Sequence, residues 1–232
     1  MKKLLVIFLF TSILAGIAGT SSALPLVNGN FDSIQNYSPD KGLVNKIKLD
    51  EMVSGQWDVY DSIEGWRSGD SDSGVEIQYN TVVQAHSQNF YVELDSHPYP
   101  NSNSSITQTV FLDRGMYNLS FWYMARTHTP NDNGIDFWIY NSNLTPQEDP
   151  LLSGSADGVR DDFMDWLEYS YSFNVETAAD YELMFSATGI ENTLGGFLDD
   201  VEIIPTPEPA PMLLLGLGLL GFAAVGRRNL KK

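Results

Sequence analysis

Sugar rings are held by flat aromatic faces and a few converging polar groups, and the sequence offers one such set. Trp122 and Trp138 fall on the parity opposite the apparent core residues of their runs, which are Tyr117, Leu119, Phe121 and Tyr123 in one and Ile135, Phe137 and Ile139 in the other. Tyr91 and Glu93 oppose Val92 and Leu94 in the same sense, and Arg126 continues the Trp122 face. These five residues are expected to line one open sheet face, unless loops or a second core layer cover the rings. Trp66 and Trp166 read as packing residues. A second loaded position is Asp199, which shares its parity with Phe197, Val201 and Ile203 and should point inward with them. A buried carboxylate needs a partner, either a metal, backbone N–H groups or an arginine.

Catalytic groups do not assemble as readily. Glu93-Leu94-Asp95 resembles the start of a Glu-x-Asp-x-x-Glu pattern found in some jelly-roll glycosidases, where two carboxylates act as nucleophile and acid. The third acid should follow near residues 97 or 98, where His97-Pro98 stands instead. His86, His97 and His128 form no recognisable Ser/His/Asp signature and no His-x-x-x-His zinc pair. Asp70-Ser71-Asp72-Ser73-Gly74 alternates oxygens like a calcium loop but lacks the bidentate Glu of an EF-hand, so it reads as a polar strand connection. With no cysteine in the chain, disulfides and thiolate metal sites are excluded. No enzyme is expected.

The elements that must position these residues are strands. Tyr169, Tyr171, Phe173 and Val175 share one parity, as do Tyr181, Leu183, Phe185 and Ala187. Period two with aromatic and β-branched residues marks half-buried strands. Asp113-Arg114-Gly115, Asn131 to Gly134 and Asn192 to Gly196 separate them as turns. Many short antiparallel strands predict an all-β fold, an antiparallel jelly-roll β-sandwich, over residues 24–204.

The ends differ in kind. Lys2-Lys3, an apolar run from Leu4 to Ile17, and Ser21-Ser22-Ala23 form the charge, apolar core and small-residue exit of a secretory signal helix, with cleavage expected after Ala23. Residues 205–211 are a proline-dense linker, residues 212–226 a short hydrophobic transmembrane helix, and residues 227–232 a basic cytoplasmic tail. Of 13 Lys and Arg six lie in these ends, and of 30 acids only Glu208 does, leaving seven bases against 29 acids and a core charge of −22. Such a surface repels nucleic acid and anionic lipid. Neutral glycans, cationic polymers and divalent metals remain compatible with it.

Two resemblances follow from these residues. Pro207-Glu208-Pro209, the Gly/Leu-rich stretch and Arg227-Arg228 resemble the PEP-CTERM sorting domain of Gram-negative bacteria. That resemblance implies processing by an exosortase, transient residence in the inner membrane, and delivery to the cell surface or an exopolysaccharide matrix. Asn28 to Asp32, Ser62 to Trp66, Gly74 to Gln78, Tyr91 to Ser96, Ile106 to Gln108, Leu119 to Tyr123 and Phe197 to Val201 together resemble galactose-binding-like jelly rolls, whose best-understood members are carbohydrate-binding modules. It implies Asn28 to Asp32 as the opening strand, and a structural calcium held by Asp32 and Asp199 with Asn30 nearby. The expectation is a non-catalytic exported protein that binds carbohydrate. The alternatives are a structural or adhesive matrix component without a ligand pocket and, less favoured, a glycoside hydrolase.

Overall fold

The computed structural model of the protein describes residues 26–38, 44–69, 74–97, 103–146, 148–159 and 165–206. The signal helix, the hydrophobic helix at 212–226, the basic tail and the Asp70 to Ser73 connection lie outside the described residues. The described chain forms β1 (Gln56–Tyr60), β2 (Ser62–Ile63), β3 (Trp66–Ser68), β4 (Val75–Tyr79), β5 (Phe90–Glu93), β6 (Ser105–Leu112), β7 (Gly115–Met124), β8 (Gly134–Asn141), β9 (Leu152–Ala156), β10 (Leu167–Val175), β11 (Ala179–Thr188) and β12 (Phe197–Pro205). A single 3-10 turn at Leu49–Glu51 accompanies them. Two six-stranded sheets result, a front sheet ordered β2-β3-β6-β11-β8-β9 and a back sheet ordered β1-β4-β5-β12-β7-β10. Every pairing is antiparallel, as expected for a jelly-roll sandwich.

The period-two runs decide what lies between the sheets. Leu119, Phe121 and Tyr123 of β7 meet Ile135, Phe137 and Ile139 of β8 and Leu183 and Phe185 of β11 in one buried cluster. Phe121 meets Phe137 and Phe185 edge-on at 5.2 and 5.1 Å, and stacks on Tyr169 at 5.4 Å. Each such ring contributes about 1.5–3 kcal/mol by leaving water. Trp66 lies in the same core beside Phe31, its ring N–H donating to the Asn28 carbonyl at 2.9 Å.

Two local expectations fail. Asn28 to Asp32 forms no strand, because Asn28 and Phe31 take left-handed φ values of 52° and 58°. The segment is instead an irregular brace whose Gly29 carbonyl accepts the Val201 N–H at 2.8 Å. The second failure concerns β12. Its register against β7 runs Phe197↔Met124, Leu198↔Tyr123, Asp199↔Trp122 and then jumps to Glu202↔Ser120. An extra residue in a bulge reverses which way later side chains point, and Asp200 sits there at φ 46°. Leu198, Val201 and Ile203 therefore reach the core, while Phe197 joins a separate cluster outside the back sheet. Asp199 shares that outer side. It is fully buried, but not inward with Val201 and Ile203.

Candidate functional site

Residues paired across strands share a face, so the registers locate each candidate. Trp122 on β7 lies on the outer face of the back sheet, opposite Asp199 and Glu168. Trp138 on β8 lies on the outer face of the front sheet, opposite Met184 and Ser153. The expectation that Trp122, Trp138, Tyr91, Glu93 and Arg126 line one face is corrected. The two tryptophans sit on opposite sides of the sandwich because their strands join different sheets.

Over β5 the back face is closed. Tyr91 and Glu93 are both 0% exposed, contrary to the open position expected of them. Tyr91 packs with Val83, Met124 and Phe197 in a second apolar cluster, with Trp166 against it. Its hydroxyl donates to Gln78 Oε1 and accepts the N–H groups of Val82 and Val83 at 3.1 and 3.2 Å. Trp122 is covered by the His86 ring, stacked on it at 3.8 Å. Glu93 accepts hydrogen bonds from Gln78, from Arg126 and from the Gly195 N–H, and the Arg126 guanidinium also lies 6.0 Å over Phe197. A Cβ at Gly195 would overlap the Leu94 carbonyl, so the 192–196 loop seals this spot only because residue 195 lacks one.

Glu76 stands directly across from Glu93, with Gln78 donating to both. His97 supplies its backbone N–H to Glu76 at 3.1 Å and presents Nδ1 at the same distance. Burial pushes the Glu93 carboxyl well above its ordinary range, the Glu76 charge adds to this, and Arg126 opposes it. Two neighbouring carboxylates thus exist, yet both are walled off, at 1% and 0% exposure. Asp95 is a structural acid too, its Oδ2 accepting the N–H groups of Asn192 and Leu194 at 3.1 Å each.

The front face has a different character. One cross-strand row runs Arg67, Thr107, Met184, Trp138, Ser153 over β3, β6, β11, β8 and β9. The adjacent rows place Tyr140 beside Glu182 and Thr109, and Asp136 beside Ser186 and Ser155. Four strand spacings make this strip about 19 Å long. Arg67 donates to Glu182 Oε1 at 2.5 Å, and the hydroxyls of Thr107 and Thr109 donate to the same carboxylate. The Arg67 side chain remains 57% exposed. Burial raises the Tyr140 hydroxyl, with Glu182 reinforcing and Arg67 opposing. Among the described residues no apolar cluster forms over this side, where Trp138 and Met184 are half-buried. Of the aromatic set read from sequence only Trp138 belongs here. Arg67, Tyr140, Glu182 and Met184 were missed, although Tyr140 shares the Trp138 parity and Glu182 and Met184 oppose Leu183 and Phe185.

Asp199, Asp32 and Asn30, the residues expected to hold a calcium, are each engaged by backbone N–H groups or lie next to one that is. Asp199 accepts the Ser87 and Asp200 N–H groups at 3.1 and 2.7 Å. Asp32 Oδ1 accepts the Asn89 N–H, and Asn30 Oδ1 accepts the Asp32 N–H at 3.5 Å. Asp32 Oδ2 is buried with no partner. Burial lifts Asp199 to about 8 and Asp32 to about 6, with Asp200 repelling both. A cavity of about 260 Å³ adjoins, lined in part by Asn28, Asn30, Asp200 and Glu202.

Residues 205–228 match the PEP-CTERM protein-sorting motif. That motif marks an exported bacterial protein destined for the cell surface or the exterior. No curated protein matches the chain significantly. Similar solved structures include TmCBM61 in complex with β-1,4-galactotriose, at 17% identity over 80% of this chain and all of that one, with a TM-score of 0.42. The K1 cleaved adhesin domain of Lys-gingipain from Porphyromonas gingivalis matches at 16% identity over 63% and 94%, TM-score 0.43. CBM35 from Paenibacillus barcinonensis matches at 17% over 66% and 100%, TM-score 0.39. Such identities transfer no residue roles.

Proposed function

We propose that this is an exported, non-catalytic carbohydrate-binding protein of a Gram-negative cell surface or exopolysaccharide matrix, released from the inner membrane by an exosortase acting on its tail. The front-sheet row centred on Trp138 carries the reading, its ends Arg67 and Ser153 exposed and its centre half-buried. It combines a half-buried indole, the thioether of Met184 and hydrogen-bonding groups at both ends, the mixture that sugar rings require. The −22 charge of residues 24–204 favours neutral or cationic chains over uronic-acid polymers. Incubating the protein with insoluble neutral polysaccharide from the producing bacterium should deplete it from solution, and unchanged depletion by an acidic polymer would contradict the charge argument. Failure to bind any native polysaccharide would remove the function.

A structural calcium is part of the same proposal. The buried, partnerless Asp32 Oδ2 is the observation that suits a hard cation, with Asn30 and Asp199 to share it. Among the described residues no three acidic or histidine side chains converge as a cage, so backbone carbonyls and water would complete the shell. Calcium should raise the melting temperature and a chelator should lower it. An identical melt in both, or an Asp32→Asn variant still stabilised by calcium, would dispose of this site.

A further inference from the structure

Four strands end the two sheets, and three of those edges are short or occupied. β1 is flanked by residues 44–48, where Asn45 donates to the Trp57 carbonyl at 2.9 Å, and the Asn45 and Ile47 N–H groups bind the Asp58 carboxylate. β2 has two residues and is bridged by Ser38. β9 has five residues with Gly154 at its centre. β10 is nine residues long, Leu-Glu-Tyr-Ser-Tyr-Ser-Phe-Asn-Val, without proline, glycine or lysine. Among the described residues none outside β7 exchanges a backbone hydrogen bond with it. Proteins ordinarily blunt a long edge with charge, proline or a bulge, since its bare N–H and C=O groups invite another strand. This edge has one charge, Glu168.

We infer that β10 pairs antiparallel with β10 of a second copy of the chain. The strand is self-complementary about Tyr171. A two-fold axis there sets Tyr171 beside itself, Tyr169 beside Phe173 and Leu167 beside Val175 on the core side. On the outer side it sets Ser170 beside Ser172 and Glu168 beside Asn174. All nine residues are used, parity is kept, and the one acid avoids its own copy. Leu167, 53% exposed in the single chain, and the half-buried rings of Tyr169 and Tyr171 gain cover, while Phe173 and Val175 are buried already. The chain carries a net charge of −17, and β10 is a stretch where that repulsion is weakest. Aromatic and apolar cross-strand pairs supply the favourable contacts. Because the β1 edge is flanked, addition of β10 to β1 is blocked, so the contact closes as a symmetric dimer rather than growing into a fibre. The pairing does not depend on what the front sheet binds.

The chain has no cysteine, so introduced cysteines report pairing directly. Full-length chain carrying Ser170→Cys is mixed with full-length chain carrying Ser172→Cys and oxidised. The register brings the two positions opposite each other, while each lies too far from its own copy to bridge, so the mixture should give at least about fivefold more disulfide-linked dimer than either variant alone. Yields equal in mixture and single variants, or no higher than with Val53→Cys, which is 57% exposed elsewhere, overturn the inference. As a second readout, Ser170→Lys/Ser172→Lys sets lysine against lysine in the paired state but alters only exposed positions. Sedimentation should show the monomer, with a melt like that of wild-type protein diluted until it too is monomeric. A dimer that persists in this variant also overturns the pairing.

Discussion

Replacing Trp138 with alanine should weaken the proposed polysaccharide binding by about 30-fold, the factor that corresponds to about 2 kcal/mol for truncating an aromatic anchor. Its melting temperature changes little, because the indole stands outside both buried clusters. Trp122→Ala has the opposite profile. It removes the surface on which His86 stacks at 3.8 Å, loosening residues 80–89 over the back sheet, and leaves affinity where it was once the protein is folded. Affinity electrophoresis of both variants in gels containing the polysaccharide, with melts run alongside, separates the two faces. Equal loss from both tryptophans, or loss from Trp122→Ala alone, would place binding on the wrong side of the sandwich.

The largest stability effect is expected at Arg126. Its guanidinium partners Glu93, which has no contact with water, and Glu76 lies directly opposite in the ladder. Arg126→Met leaves two adjacent buried carboxylates without that cation. Breaking such a pair from one side costs about 3–5 kcal/mol, or roughly 10 °C in melting temperature for a domain of this size. The loss depends on pH in a fixed sense. Burial already holds the Glu93 carboxyl above its ordinary range, and removing Arg126 raises it further. A group whose folded pKa is raised favours the folded state while protonated, so that contribution is present below the unfolded value and lost as pH rises through the folded one. The variant should therefore recover toward wild type as pH falls through the raised folded pKa of Glu93, before the ordinary carboxylate range is reached. Glu93→Gln in the same chain should restore much of the loss at neutral pH. A melt of Arg126→Met indistinguishable from wild type at pH 7.5 would mean that the ion pair does not hold the back face shut.

Placing these residues needed more than the sequence, and the reason is visible in particular strands. Parity is a local property, so the alternation in β7, β8, β10 and β11 correctly assigned Leu119, Phe121, Phe137, Phe173, Leu183 and Phe185 to the core. Parity also identified Trp122 and Trp138 as outward residues. It carries no information about which strands become neighbours. That depends on long-range pairing, which sent β7 to the back sheet and β8 to the front. Tyr91 and Glu93 point away from the core as their pattern implies, yet they are buried by Val82 and Val83 of the preceding loop and by Trp166 and Gly195 from far along the chain, none of which the alternation in β5 reveals. Asp199 was misplaced for a narrower reason, since one extra residue at a bulge reverses the alternation and nothing in Leu198-Asp199-Asp200-Val201 marks it.

The all-β class, the core and the export tail were legible in the residues alone, because each rests on local order: a period of two, or the succession of Pro207-Glu208-Pro209, an apolar stretch and Arg227-Arg228, matched over residues 205–228. Which sheet each outward tryptophan joins is settled by long-range pairing. The same outward parity puts Trp138 on the front sheet, in one row with Met184 and Thr107, and Trp122 on the back sheet under the His86 ring, with both indoles half-buried. That difference arises from the pairing of strands and loops far apart in the chain, where loop closure and cross-strand packing, rather than neighbouring residues, set the outcome.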